Sequence, residues 1–429
     1  LLPSLNLSGG VMNFDRSIVE ARDPDTGRIS YVDNNSLSND LTLSVDQNIP
    51  FLGGTLSLQS SLSRLDQFNY DLQTYNTVPL ILNYTQPIRA YNALKWRKKT
   101  APLQYENAQR AYLETMQDIT INVTNLFFTV LSAQENYRQS VADYEDRKHL
   151  FEIAKKRLDL GTTTKSEVLQ MELSLLNAKM SVNSTNLTLR TQLFSLFSYL
   201  RIVDYGDIEL LPPYYMPEIE MNAEQVLDKA WTGSSHSIEQ QLNLLESQRA
   251  LAEAKANRGL QVEFRGRLGL SQSANELPAA YRRLKDYETV GLTMTIPIYD
   301  WGMGRGKVRM AKTDVEITKT QIEQANIEFA HDVRTKVLQF NNQAEQCKTS
   351  LRAQDIAAER YDIMKKRFEN GSVTVTELNT AQEEFESAQH QYISQLQQFW
   401  TDYYGIQKLT LYDFIRKENI GVNFNDLVN

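Results

Sequence analysis

The sequence predicts a mixed fold in which β-strands feed very long helical hairpins, with that whole unit present twice. Three observations predict it. Long stretches of the 429 residues lack helix-breaking residues, the chain matches itself at a shift of 210, and the segments ahead of the helices alternate with period two.

The helices come first. Only 18 Gly and 11 Pro are present, and the stretches 101–160 and 303–369 hold almost none. Helix interiors exclude those two residues most strongly. The first long helix is expected from about Trp96 to Leu160, roughly 100 Å at 1.5 Å per residue. Its second half places Ile119, Val123, Leu126, Val130, Ala133 and Tyr137 at alternating steps of four and three. The second copy repeats the stripe at Val333, Val337, Phe340, Ala344, Cys347 and Leu351. Such heptad spacing implies coiled-coil packing. A helix this long needs neighbours along its whole length, so two antiparallel hairpins predict a cylinder wall.

The duplication is read most clearly at the hairpin tips. At the 210-residue shift, 155–167 (KKRLDLGTTTKSE) falls on 365–377 (KKRFENGSVTVTE) with six of thirteen positions identical, and Pro87-Ile88 falls on Pro297-Ile298. Gly161 and Gly371 supply the left-handed conformation that ends a helix. Thr162 and Ser372 follow, and Glu167 and Glu377 put negative charge near the start of the returning helix.

The strands show one apolar and one polar side. Val262, Phe264, Leu268 and Leu270 alternate with Glu263, Arg265, Arg267 and Gly269, and Val290, Leu292, Met294 and Ile296 alternate with Thr289, Gly291, Thr293 and Thr295. Leu41-Leu43-Val45, Leu5-Leu7 and Leu80-Leu82-Tyr84 repeat the pattern. A half-buried strand of a soluble sandwich alternates in the same way. No apolar run approaches the roughly 20 residues of a spanning helix, so a membrane crossing requires a closed barrel. One chain offers too few strands to close it, whereas several copies could.

Composition excludes other classes. The net charge of −8 with no basic stripe argues against a nucleic-acid partner. The single cysteine, Cys347, excludes an intrachain disulfide framework. The four histidines, at 149, 236, 331 and 390, lack metal spacing, and the 302–306 run GMGRG lacks the lysine-serine pair of a phosphate loop. No catalytic constellation, metal site or cofactor is predicted.

Over nearly its full length the chain resembles the TolC-type outer-membrane efflux proteins. The residues that carry the resemblance are Leu2-Pro3-Ser4-Leu5, the turn Pro87-Ile88 through Lys95-Trp96, its echo Pro297 to Arg305, and the two tips. The resemblance implies three protomers sharing one 12-stranded transmembrane β-barrel and a long periplasmic α-helical barrel. It implies a passive exit duct of a tripartite efflux pump or type I secretion system, with a periplasmic adaptor, an inner-membrane transporter and outer-membrane lipid as partners. Glu167 and Glu377 would line the periplasmic mouth as a pore or gate, a ring that attracts cations and in which crowding raises some carboxyl pKa values. Taken singly, each is equally explained as a helix-capping acid, and the recurrence of the acid in both copies raises the pore reading above that. Arg157, Gly161, Thr162, Arg367, Gly371 and Ser372 would form the tip that meets the adaptor, with turn chemistry and helix ends as the plainer account. Two departures stand out. Val373 and Phe368 occupy the places of an arginine and a tyrosine of the family's best-known member, so that member's ion-pair latch does not carry over. About fifty extra residues also lie between Leu5 and Pro87, and the Phe51-Leu52-Gly53-Gly54 turn among them points to an inserted extracellular hairpin.

The expected divisions are strands and extracellular loops over 1–95, a helical hairpin over 96–210, a connector and stacked helix over 211–258, strands over 259–300, the second hairpin over 301–412 and a C-terminal connector over 413–429. The 222–257 segment reads as one helix stacked behind 165–200. Its absence from the first copy leads to the expectation of roughly 40 residues of amphipathic helix ahead of Leu1, behind an export signal. The rival reading is a trimeric coiled-coil surface stalk with no conducting channel.

Overall fold

The computed structural model describes residues 2–22, 27–161, 163–204, 206, 208–211, 213, 216–369, 372–373 and 375–424. In chain order the elements are β1 (Ser4–Arg22), β2 (Ile29–Ile49), β3 (Gly54–Gln67), β4 (Leu72–Arg89), α1 (Ala93–Asp159), α2 (Lys165–Tyr199), α3 (Ala223–Gly233), α4 (His236–Asn257), β5 (Gln261–Ala274), α5 (Leu277–Ala280), β6 (Lys285–Thr295), α6 (Met303–Glu369), α7 (Val375–Thr410), β7 (Tyr412–Asp413) and β8 (Glu418–Asn419). The two long helices, α1 and α6, are 67 residues each, so the duplicated landmarks mark helices of equal length. The chain forms two compact units: 1–106 with 238–323, and 107–237 with 324–429.

The first unit carries a six-stranded antiparallel sheet ordered β1-β2-β3-β4-β5-β6. Directly paired residues share a face, so the register reveals what each face holds. Leu7 pairs with Leu43 and Leu5 with Val45; Val45 pairs with Leu58, Leu58 with Leu82 and Leu82 with Leu268. On β6, Val290 and Leu292 face Gly266 and Phe264. One face is therefore largely apolar from the first strand to the last, and most of its side chains are exposed, from 39% at Val45 to 71% at Val290, with Phe264 half-buried. The other face holds Asn6, Thr42, Ser44, Asp46, Ser57, Gln59, Asn83, Arg265, Arg267, Thr289 and Thr293. The apolar stretch begins at Met294 and Val262 on β6 and β5 but only at Val45 on β2, several pairs farther from the strand ends that lead into α1 and α6. The band thus runs obliquely to the pairing direction, the stagger that tilted barrel strands require. Tyr84 and Phe264, ring centroids 6.3 Å apart, sit near its helix-side edge, where membrane barrels place aromatic residues.

The resemblance implies four strands per chain; the sheet has six, because β1 and β2 form a hairpin ahead of the duplicated pairs. The Phe51–Gly53 turn lies on the helix side of the sheet, which corrects its expected extracellular position. Asn92, just before α1, donates to the Pro50 carbonyl at 3.1 Å and accepts from the Lys95 amide at 2.9 Å. The opposite ends of β3 and β4 are joined at 68–71.

In the second unit the core gathers Met221, Val226, Leu227, Ala230, Val333, Val337, Phe340, Phe399, Tyr403 and Ile406 from α3, α6, α7 and the residue before Asn222. Of the predicted stripe on α6, Val333, Val337, Phe340 and Cys347 are buried, while Leu351 is exposed. On α1 the buried face is Phe128, Val130, Leu131 and Ala133, and Ile119 is exposed. The stripe there shifts because Phe128 and Leu131 pack with Cys347, Ile393 and Leu396 as a second cluster. Burial pushes the Cys347 thiol up to about 11, which keeps it an inert apolar filler.

The segment read as one helix over 222–257 is two. It breaks at Ser234-Ser235, where α3 ends and α4 begins. Side chains of α1 satisfy the break: Arg110 donates to the Thr232 and Ser234 carbonyls, both at 2.8 Å, and Glu114 accepts from the Ser235 amide at 2.7 Å. Gly233 is needed there, because a Cβ would lie 2.0 Å from the Thr410 carbonyl oxygen.

Candidate functional site

The first tip is built by local chemistry. Gly161, at φ +72°, turns the chain after α1, where a side chain would be strained. Thr164 caps α2: its hydroxyl accepts from the Glu167 amide at 3.3 Å, and the Glu167 carboxylate accepts from the Thr164 amide at 3.2 Å. Thr163 also donates its hydroxyl to Glu167. This reciprocal pair is a capping box. The Thr163 hydroxyl, then the Thr164 amide, hold the Glu167 carboxyl below the usual range. Within one chain Glu167 is therefore a charged capping acid.

The other predicted tip residues fall where the spacing placed them. Arg157 and Arg367 are exposed in the last turns of α1 and α6, favourable positions for cations beside a helix C-terminus. Glu377 is exposed in the first turn of α7. The Ser372 amide donates to the Arg367 carbonyl at 2.9 Å. Thr162 and Gly371 lie outside the described residues.

Back from the tip, polar contacts join the two copies. On α1, Asp146 accepts from Lys365 at 2.9 Å and from the Tyr361 hydroxyl at 3.2 Å, both on α6. Burial, then the Asp146 charge, push the Tyr361 phenol above its ordinary range, so it remains a proton donor. Asp143 holds Arg147 at 2.8 Å and accepts from Gln382 of α7 at 2.8 Å. Arg147 also donates to Ser174 of α2. Further along, Gln389 donates to Glu135 at 3.1 Å, Gln397 and Thr401 donate to Asn125 at 3.1 and 3.0 Å, and Lys408 pairs with Asp118 at 2.7 Å. The rungs recur about every seven to twelve residues and run antiparallel, so α7 is laced to α1 on one face. Sequence reasoning missed this ladder. Its signal was present, since Asp118, Asn125, Glu135 and Asp143 recur near heptad spacing, but polar residues on a helix read equally well as a solvated face.

Among the described residues no group of three or more His, Cys, Asp or Glu side chains could hold a metal ion. No helix among them is long and apolar enough to cross a membrane, which says nothing of the sheet. The geometry offers a two-faced sheet and a laced set of long helices.

A family model described as outer membrane efflux protein matches residues 36–200 and 234–410. The chain belongs to that family. It is an outer-membrane efflux channel, not an enzyme, seated in the outer membrane and extending into the periplasm. Solved structures share the fold at low identity. The outer-membrane channel CmeC of Campylobacter jejuni is 14% identical with a TM-score of 0.64, over 100% of this chain and 80% of that one. The outer-membrane channel OprN is 13% identical with a TM-score of 0.64, over 95% and 81%. The open state of the MtrE channel of Neisseria gonorrhoeae is 13% identical with a TM-score of 0.62, over 96% and 80%. No curated protein matches by sequence. The family assignment leaves the surface-stalk reading without support.

Proposed function

We propose that three copies of this efflux protein close one membrane barrel and one periplasmic helical wall, forming a passive duct fed by an inner-membrane transporter through an adaptor. The observation that carries the reading is the sheet itself. Its apolar face is continuous over six strands, yet β1 and β6 are left as open edges. An edge strand in hydrocarbon leaves backbone groups unsatisfied at several kcal/mol each, so the chain needs partners of its own kind. The 302–306 run lacks the lysine-serine pair of a phosphate loop, so the transporter is the source of energy in this reading.

The tips carry the gate and the adaptor contact. Glu167 and Glu377 face the pore from the returning helices, and Arg157, Gly161, Thr162, Arg367, Gly371 and Ser372 form the rim that the adaptor meets. Supporting this, the Glu167 carboxyl lies below the usual range and Glu377 is exposed in the first turn of α7. The test is the double variant Glu167→Gln, Glu377→Gln in planar lipid bilayers. Lower cation selectivity and weaker block by divalent cations are expected. An unchanged reversal potential in a salt gradient would return both acids to helix capping alone.

A further inference from the structure

The two open edges of the sheet identify where neighbouring copies meet, and they are not those of a four-strand protomer. A strand has two edges. Both edges of β3 are used within the chain, by the ladder Ile49↔Gly54 to Ser36↔Gln67 with β2 and by the ladder from Thr55↔Thr85 to Gln67↔Leu72 with β4. A barrel of four strands per chain would have to close on β3, and would first have to strip β2 from it. The β1–β2 hairpin also has the same two faces as the strands of the duplicated pairs. Leu5, Leu7, Leu41, Leu43 and Val45 lie on the apolar side, level with Leu58, Leu82 and Leu268. On the polar side Asp46 of β2 accepts from Asn6 of β1 at 3.0 Å, from Ser44 at 2.9 Å and from Ser57 of β3. One carboxylate on the polar face thus ties three strands in register.

We infer that β1 of each copy pairs with β6 of the next, so that three copies of a six-stranded sheet close as eighteen strands. The inference rests on the trimer proposed above. Direction supports it: β6 runs toward the helix side and β1 away from it, so the new pair is antiparallel like every other pair in the sheet. Chemistry supports it too, because Val290, Leu292 and Met294 on β6 and Leu5 and Leu7 on β1 bring exposed apolar side chains to both edges. Barrel diameter grows roughly linearly with strand number, so this exit is about half again as wide as a twelve-stranded one and falls in the size class that encloses an aqueous channel. The outer mouth then imposes little restriction on cargo, and selection falls to the periplasmic end.

Disulfide scanning in the full-length protein, with Cys347→Ala as background, tests this. Cysteine is placed at Leu5 or Leu7 together with Val290, Leu292 or Met294, and each variant is oxidised in detergent or membranes. Within one chain five strand spacings, about 24 Å, separate these positions, so any bond joins two copies. Covalent ladders ending at a trimer are expected for at least one pair. Cross-links between Leu58→Cys or Leu62→Cys and the same β6 positions would instead show closure on β3, overturning the inference while leaving the trimer intact. An intact trimer with no β1–β6 bond at any of the six pairs also overturns it. A monomer by native mass would sink the trimer reading itself.

Discussion

Removing the Asp146 carboxylate should loosen the first hairpin from the second and raise the open fraction of the channel. Asp146 holds Lys365 and the Tyr361 hydroxyl together. The Lys365 pair is 42% and 36% exposed on its two side chains, so solvent screening leaves it about 0.5 kcal/mol. The Tyr361 bond is to a charged acceptor, and such bonds contribute about 1.5–3 kcal/mol, the lower end applying at 3.2 Å. Together Asp146→Ala costs about 2 kcal/mol of hairpin attachment, a shift of about thirtyfold in the closed-to-open ratio of one protomer. Single-channel recording in planar bilayers reads this as a higher open fraction or conductance. Asp118→Ala is the control. It removes the Lys408 rung, another partly exposed pair, 28 residues back along α1. It should lower thermal stability slightly and leave conductance unchanged. Wild-type behaviour in Asp146→Ala, or equal opening in both variants, would refute a gating role for the Asp146 network.

Three further outcomes follow from the geometry. Thr164→Ala removes the hydroxyl half of the capping box and should cost about 0.5–2 kcal/mol, seen as faster amide exchange in the first turn of α2, with Thr164→Ser restoring protection. The same turn should lose protection on acidification: the folded-state carboxyl of Glu167 lies below its unfolded value, so its contribution is present above the unfolded pKa and is lost as pH falls through the folded one. Gly233→Ala should lower the melting temperature, because its Cβ would sit 2.0 Å from the Thr410 carbonyl and force α3 away from α7 at about 1–3 kcal/mol; a wild-type melt would show that this contact is loose.

What was legible in the sequence followed from periodicity. The helix spans came within a few residues because Gly and Pro are nearly absent from them, and Val333, Val337, Phe340 and Cys347 were buried as their heptad spacing required. The alternating strands revealed their two faces before any register was known. Tertiary contacts decided the rest. Ser234-Ser235 breaks a periodic helix because Arg110 and Glu114, more than a hundred residues away, satisfy the freed backbone groups. The 50–53 turn shows its side of the sheet only through Asn92. Asp146, Tyr361 and Lys365 form one network across two repeats, and no local pattern marks a polar residue that finds its partner 215 residues later.

The central claim, that this chain works only as part of a closed multi-chain channel, is tested most directly by the native mass of the detergent-extracted protein. Three copies predict a native protein mass three times that of the denatured single chain, with the β signal retained. A monodisperse folded species with the mass of one chain would contradict the account.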